Sequence, residues 1–376
     1  MQQYCYITSM FRSGSTMIAR MLDVHPQVAS ASDPMRPLFN SFRYDLADEK
    51  YRSRHSRFDP LGDYFLQDCN LLQRTLDASL DISPGISSSE LVTTVAKRAE
   101  MFSSSYSDKL DTEKSFSVYK EYVQYFLNTV ADVYGQGKDY SCIAFKEVWS
   151  TEFYSALKRS FPSMKGIVIV RDPRAVVASK NATGEPYPYI FMGRQWRKLT
   201  SLAAYLDHAY EDVLLMRYED IVSKPEENVS RICSFLDIEY NESLLDLSLY
   251  KDGQGNPWKQ NTSYKDIKSR RINARSVDKW KNILDERDVL SIEVFAHDWM
   301  RYFGYEPINS EKDINSLNID LYKRLDHENL AQWIRPFAYD SDKERLANEL
   351  VLEKLRLAQD MKLSFEEKMR LHLKWW

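Results

Sequence analysis

The sequence predicts an α/β fold in which a central parallel β-sheet is flanked by helices. A helical insertion and a helical C-terminal extension are added to that core. Three observations carry this expectation. Short apolar runs alternate with helical patterns along most of the chain, the signature of parallel strands covered on both faces. Residues 4–22 run from a strand directly into a tight Gly/Ser loop and then a helix. After about residue 310 the pattern shifts to mixed charge, with Leu346, Leu350 and Leu357 at helical spacing.

Taken in order, residues 4–9 form a buried strand. A helix carrying Met17, Ile18, Met21 and Leu22 follows, and His25-Pro26 ends it because proline cannot continue the ladder. Residues 34–137 are less regular; Ser83–Ser89 reads as a loop and Tyr119–Tyr134 as a helix. Tyr140–Phe145 is then a strand, Ser150–Phe161 a helix and Gly166–Val170 a β-branched buried strand. Asp172 caps a helix that has Pro173 at its first position. Val213–Met216 is a fourth strand, and Glu226–Leu236 and Glu286–Tyr302 are helices. The domain division expected is a core of residues 1–305, with 36–135 as its mainly helical insertion, and an extension of 306–376.

Composition narrows the function classes. The 376 residues carry 51 Lys and Arg against 55 Asp and Glu, a net charge of −4, so a broad basic face for nucleic acid is not expected. A hydrophobic fraction of 43% and a charged fraction of 28% exclude a disordered or low-complexity chain. No apolar run approaches the ~20 residues that cross a bilayer. The start, Met1-Gln2-Gln3, lacks the charged and apolar regions of a secretory signal, so a cytoplasmic protein is expected. Cys5, Cys69, Cys142 and Cys233 are widely spaced, which predicts reduced thiols and no zinc or other metal site. The Asn-x-Ser/Thr triplets at Asn181, Asn228, Asn241 and Asn261 are then chance matches.

The loop at residues 9–16 is the strongest local signal. Aligned on Gly14-Ser15-Thr16, a nucleoside-triphosphate loop would need lysine where Ser15 stands and glycine where Ser9 stands. The anion-binding parts remain: Gly14 allows close backbone approach, the helix start supplies N–H groups and its dipole, Ser13, Ser15 and Thr16 supply hydroxyls, and Arg12 a fixed cationic fork. A second element runs Val168-Ile169-Val170-Arg171-Asp172-Pro173 and on to Ser179. It puts Arg171 at the carboxyl end of a strand, where open α/β sheets bind ligands.

With these residues in view, the chain resembles the sulfotransferases that use 3′-phosphoadenosine-5′-phosphosulfate (PAPS). Arg12-Ser13-Gly14-Ser15-Thr16 is similar to their 5′-phosphosulfate loop, in the Arg-type form of the carbohydrate and tyrosylprotein branches. Arg171 to Ser179 resembles their 3′-phosphate segment. Further likenesses are His25-Pro26-Gln27-Val28, the stretch from Arg217-Tyr218-Glu219-Asp220 to Arg231-Ile232-Cys233-Ser234-Phe235-Leu236, and Ser276-Val277-Asp278-Lys279-Trp280, where Asp278 stands in place of glycine. The five matches cover roughly residues 4–35 and 140–303.

The resemblance implies a P-loop-like core and in-line transfer of a sulfuryl group from PAPS to a hydroxyl, less readily an amine, with release of 3′,5′-phosphoadenosine (PAP) and no metal. It implies Asp33 as general base, although the related branches carry the longer Glu there. It implies Arg12 and Lys146 as the cations that stabilise the leaving phosphate, and Ser263 as a hydroxyl near the sulfate. Arg12, Ser13, Gly14, Ser15, Thr16, Arg171, Ser179, Tyr218, Arg270, Arg271, Asn273 and Lys279 would hold the nucleotide. Lys146 is expected just after its strand, and His25 is expected to be structural. The acceptor stays open among a sugar, a lipid and a secondary metabolite. Arg43, Arg52, Arg54 and Arg57 of the insertion suit an acidic, sugar or aromatic acceptor equally. The partners expected are thus a small-molecule or carbohydrate acceptor and no nucleic acid, with a homo-oligomer among the options. Two other readings remain: a non-catalytic PAP(S)-binding protein and a nucleotide-dependent small-molecule kinase.

Overall fold

The computed structural model describes residues 2–53, 55–58, 69–184, 186–258 and 270–310, together with Ser364. The chain begins with β1 (Gln3–Ser9), α1 (Ser15–Val24) and β2 (Val28–Ser32). Six helices follow: α2 (Arg36–Leu46), α3 (Glu49–Arg52), α4 (Cys69–Asp77), α5 (Ser88–Glu100), α6 (Ser104–Ser107) and α7 (Tyr119–Tyr134). Then come β3 (Cys142–Val148), α8 (Tyr154–Ser160), β4 (Met164–Val170), α9 (Pro173–Asn181), α10 (Tyr189–Ala209) and β5 (Val213–Arg217). α11 (Tyr218–Ser223), α12 (Pro225–Phe235) and α13 (Glu286–Tyr302) complete the described part.

The five strands form one sheet in the order β2-β3-β1-β4-β5, every neighbouring pair parallel. Side chains alternate across it, as strand geometry requires. On β1, Cys5 and Ile7 enter one core with Ala144, Ile167 and Leu214, while Tyr6 enters the other with Phe145 and Val168. Because both faces are buried, the inner strands read as continuous apolar runs. From β1 the chain crosses to β2 on one side, and from β4 it crosses to β5 on the other. The carboxyl ends of β1 and β4 therefore flank the point where strand order reverses, the place at which such sheets form a crevice.

The helical segment after β2 is not an appendage. Leu38 and Phe39 of α2, Val95 of α5 and Phe126 of α7 pack in the same core as Tyr6 and Phe145 of the sheet. Phe39 stacks on Phe153 with centroids 5.0 Å apart. The expected extension beyond residue 310 lies outside the described residues. The expected interruption at His25-Pro26 is present, and His25 is structural: Nδ1 accepts from the Gln27 N–H, and Nε2 lies 2.7 Å from the Glu239 carbonyl. Cys5, Cys142 and Cys233 are buried free thiols.

Three sequence expectations need correction. There is a fifth strand, Val28-Ala29-Ser30-Ala31-Ser32, which its small residues conceal; it is a fully buried edge strand on β3. There is also a 21-residue helix, α10, absent from the expected list. Its pattern is masked because Arg194, Arg197 and Lys198 are buried beside Trp196, Leu199 and Leu202, so charge does not mark its outer face. Finally, β3 runs three residues further than expected. Lys146 and Glu147 pair with Ile7 and Thr8 of β1, so Lys146 lies inside the strand rather than after it.

The packing of α10 on α13 gives a test of the fold. Gly193 lets the helices approach, since a Cβ there would lie 2.5 Å from Phe295 Cβ. Gly193→Ala should overpack this contact and lower the urea midpoint by an amount worth about 1–3 kcal/mol.

Candidate active site

The loop between β1 and α1 is shaped by two left-handed residues, Arg12 at φ 65° and Gly14 at φ 92°. Gly14 is the N-cap of α1, and its carbonyl accepts from Met17 and Ile18. Besides the backbone angle, proximity demands glycine, because a Cβ at this position would overlap the Tyr218 ring. Ser9 Oγ donates to Ser15 Oγ over 2.7 Å and braces the loop from the strand end.

Arg171, at the end of β4, ties this loop to the rest of the site. Nη1 donates to the Arg12 carbonyl (2.7 Å) and Nη2 to the Ser276 carbonyl (3.2 Å). Its guanidinium lies 4.3 Å from the centroid of the Tyr218 ring, and the Tyr218 hydroxyl is 2.8 Å from Ser276 Oγ. Arg12 Nε donates to Ser179 Oγ (2.9 Å) on α9, two turns from Arg171. Beneath α9, Asp172 caps the helix through the Arg174 N–H and binds its guanidinium, which reaches on to the buried Glu293. Glu219 accepts from the Asp172 N–H and the Tyr305 hydroxyl. These carboxylates support the site from below.

On the other side of the loop stands an ion pair. Lys146 Nζ donates to Asp33 Oδ2 and, over 3.3 Å, to Thr16 Oγ1. Both partners are nearly fully buried. Asp33 sits at φ 54°, a region that Asp tolerates better than most residues, and its N–H donates to the Lys146 carbonyl (2.7 Å). The turn is pinned again at Met35, whose N–H donates to Glu147 Oε1 (2.7 Å), and at Arg36, which donates to the Val148 carbonyl. Burial, reinforced by Asp33, pushes the Glu147 carboxyl up to about 8.

These groups converge on a cavity of about 310 Å³. Arg12, Gly14, Ser15 and Thr16 line it from the loop, Asp33 and Lys146 from one side, and Arg171, Ser179 and Tyr218 from the other. Asn273 joins them from the late segment. Four of the residues named from the sequence are placed differently. Ser13 lines a separate cavity of about 10 Å³ beneath the loop, with Thr151 and Trp196. Arg270 and Arg271 are exposed beside Asp246, and Lys279 is half-buried on a 3-10 turn, Lys279–Asn282. None of these three is among the cavity-lining residues. Ser263 lies outside the described residues, as does Arg54. Arg43 and Arg57 are engaged structurally, Arg43 with Glu152 (3.7 Å) and Arg57 with Asp45 (2.6 Å).

Sequence reasoning missed the apolar wall. Phe11 and Met17 flank the loop, while Leu247, Trp258 and Ile272 arrive from the long segment after α12. Trp258 stacks on Tyr250 at 5.8 Å. Arg98 and Phe102 come from the end of α5. Phe11 and Met17 adjoin the motif and could have been found from it; the others have no local signal. Phe11 also meets Trp149 (4.9 Å) and Tyr187 (5.7 Å), two rings that back it without lining the cavity themselves. Among the described residues there is no cluster of His, Cys, Asp and Glu able to hold a metal, and no helix long and apolar enough to cross a membrane.

The fold and site together define a parallel α/β protein with a buried Asp33–Lys146 ion pair beside the β1–α1 loop. Residues 5–242 match the sequence model of the sulfotransferase family, and the chain belongs to that family. It is 23% identical over 206 residues to a Caenorhabditis briggsae protein provisionally named a protein-tyrosine sulfotransferase, covering 52% of this chain and 71% of that one. It is 24% identical over 178 residues to human carbohydrate sulfotransferase 2, covering 42% and 33% respectively. Among solved structures, the sulfotransferase domain of the Synechococcus PCC 7002 olefin synthase aligns at TM-score 0.49 and 18% identity, over 81% of this chain and 96% of that one.

The Glu147 carboxyl makes stability depend on pH. Between its unfolded value near 4.3 and about 8, the native state holds a proton that the unfolded chain has lost, so stability falls as pH rises. Glu147→Gln should flatten this fall, its melting temperature gaining on that of the wild type between pH 5 and 8. The Tyr218 contact predicts that Gly14→Ala disrupts the loop and weakens anion binding at least tenfold in calorimetry, a loss of about 1.4 kcal/mol.

Proposed function

We propose that this chain transfers the sulfuryl group of PAPS to an acceptor hydroxyl and releases PAP. The observation that carries the reading is convergence: the β1–α1 loop, Arg171 with Ser179, and the Asp33–Lys146 pair line one cavity at the switch point of the sheet. Arg12, the α1 N-terminus, Ser15 and Thr16 suit the 5′-phosphosulfate. Arg171 and Ser179 suit the 3′-phosphate, and the apolar wall with Tyr218 suits the nucleoside. Asn273 is the member of the late segment best placed for the nucleotide, ahead of Arg270, Arg271 and Lys279.

In this reading the acceptor oxygen attacks sulfur in line, the bond from sulfur to the bridging phosphate oxygen breaks, and the acceptor proton passes to Asp33. Charge growing on the bridging oxygen is met by Arg12 and Lys146. Because Lys146 is bonded to Asp33, an anion that draws the lysine away leaves the carboxylate available as base. Donor should therefore bind before the acceptor is activated. Phe11 on the cavity wall, backed by Trp149 and Tyr187, favours an acceptor with a ring or a flat sugar face. We assign residues 1–305 to the sulfotransferase domain, with the helices of 36–135 on the acceptor side, and 306–376 to an extension.

Titration calorimetry with PAP should show micromolar or tighter binding that falls at least tenfold in Ser179→Ala and collapses in Arg171→Ala. A folded wild type that does not bind PAP refutes the donor. With PAPS and a panel of phenols and sugars, Asp33→Asn and Lys146→Met should each lower kcat by about 10²–10⁴, with PAP binding retained in Asp33→Asn and weakened in Lys146→Met. Phosphate transfer from ATP with Mg²⁺ would instead favour a kinase, and PAP binding without turnover a non-catalytic protein.

A further inference from the structure

Glu147 touches neither the cavity nor a solvent path, yet it lies directly behind the groups that do. Its side chain is fully buried on β3, next in sequence to Lys146. Oε1 accepts the Met35 N–H, and Oε2 meets no donor among the described residues. A carboxylate in that position would carry an under-satisfied charge in a dry interior, which costs far more than a neutral acid does.

The surrounding groups divide: Asp33 opposes a charge on Glu147, while Lys146 and Arg36 favour one but make their hydrogen bonds to other groups. Lys146, the adjacent cation, is bonded to Asp33 and Thr16. Arg36 of α2 donates to Asn40 Oδ1 and the Val148 carbonyl, with Arg43 and Glu152 beyond it. Asp33 presents a like charge from the turn after β2. Tyr6 of β1, whose hydroxyl donates to the Ser150 carbonyl, and Tyr106 of α6 feel the Glu147 charge, and burial keeps both hydroxyls protonated.

We propose that Glu147 sets the charge of the anion site: as a neutral acid behind the Asp33–Lys146 pair, it leaves the lysine's positive charge available to a bound phosphate or phosphosulfate. The proposal rests on the reading of this cavity as the donor site. The Asp33 N–H and the Met35 N–H bond to consecutive residues of β3, so the base and the hidden acid hang from one short stretch of strand. When Glu147 ionises, a second negative charge competes for Lys146 and the site binds anions less well. Ionisation near pH 8 puts this change just above neutrality.

The test is calorimetry with PAP from pH 7.5 to pH 9, on the wild type and Glu147→Gln. Over this range the phosphate charges of PAP are already fixed, their second ionisation lying near pH 6. The glutamine oxygen can still accept the Met35 N–H. Wild-type affinity should fall about tenfold, the size that linkage to one proton allows, while Glu147→Gln changes less than about threefold over the same range. Parallel falls in the two proteins overturn the proposal and leave the donor site standing. No PAP binding by wild type at any pH overturns the donor site and the proposal with it. If Glu147→Gln does not fold, infrared spectroscopy of the wild type decides. A protonated-carboxyl band present at pH 7 and lost by pH 9 supports the proposal, and its absence at pH 7 overturns it.

Discussion

The site depends above all on the guanidinium of Arg171. One side chain at the end of β4 holds the Arg12 carbonyl of the β1 loop, the Ser276 carbonyl of the late segment and the face of Tyr218 after β5. Four stretches that are far apart in sequence are thus fixed by one planar, permanently charged group. Lysine could not replace it, because a point charge offers neither the fork nor the stacking face. The loop conformation needs such an anchor: Arg12 is held in a left-handed backbone region, which persists only where the surroundings over-determine it.

A second layer explains why Arg171 stays in place. Its neighbour Asp172 is bonded to Arg174, and Arg174 to Glu293 of α13, whose other oxygen takes the Asn309 N–H and side-chain amide. Glu219 joins the Asp172 N–H to Tyr305. The segment after α13 is therefore built into the floor of the site. Buried pairs of this kind contribute little net stability, since desolvation offsets attraction. Their effect is geometric: they leave few alternative positions for the start of α9, and hence for Ser179.

Most of the sheet and the loops that follow β1 and β4 were legible in the sequence because their signals are local. A buried strand, a Gly/Ser loop and an Asp-Pro helix start each declare themselves within a dozen residues. β2 was not legible, because Val-Ala-Ser-Ala-Ser has little apolar bulk and earns its burial from neighbours. α10 escaped for the opposite reason: its buried arginines and lysine erase the amphipathic period. Most of the apolar wall was out of reach, since Trp258, Phe102 and Leu247 meet only through tertiary packing. Ser13 shows the limit of motif reasoning, for adjacent loop residues point to opposite sides of the loop and a hydroxyl within the motif can face away from the main cavity.

Asp33 carries the sharpest consequence for the proposed reaction. Its backbone is fixed by the Lys146 carbonyl and its turn by Glu147 and Val148, and Lys146 Nζ holds its carboxylate at the cavity wall. In that reaction the acceptor hydroxyl would have to come to a carboxylate whose place is set by the strand and not by the acceptor. Phe11 lines the same cavity, so the acceptor would meet its base beside an aromatic ring, and shape would be tested there before any polar contact is made.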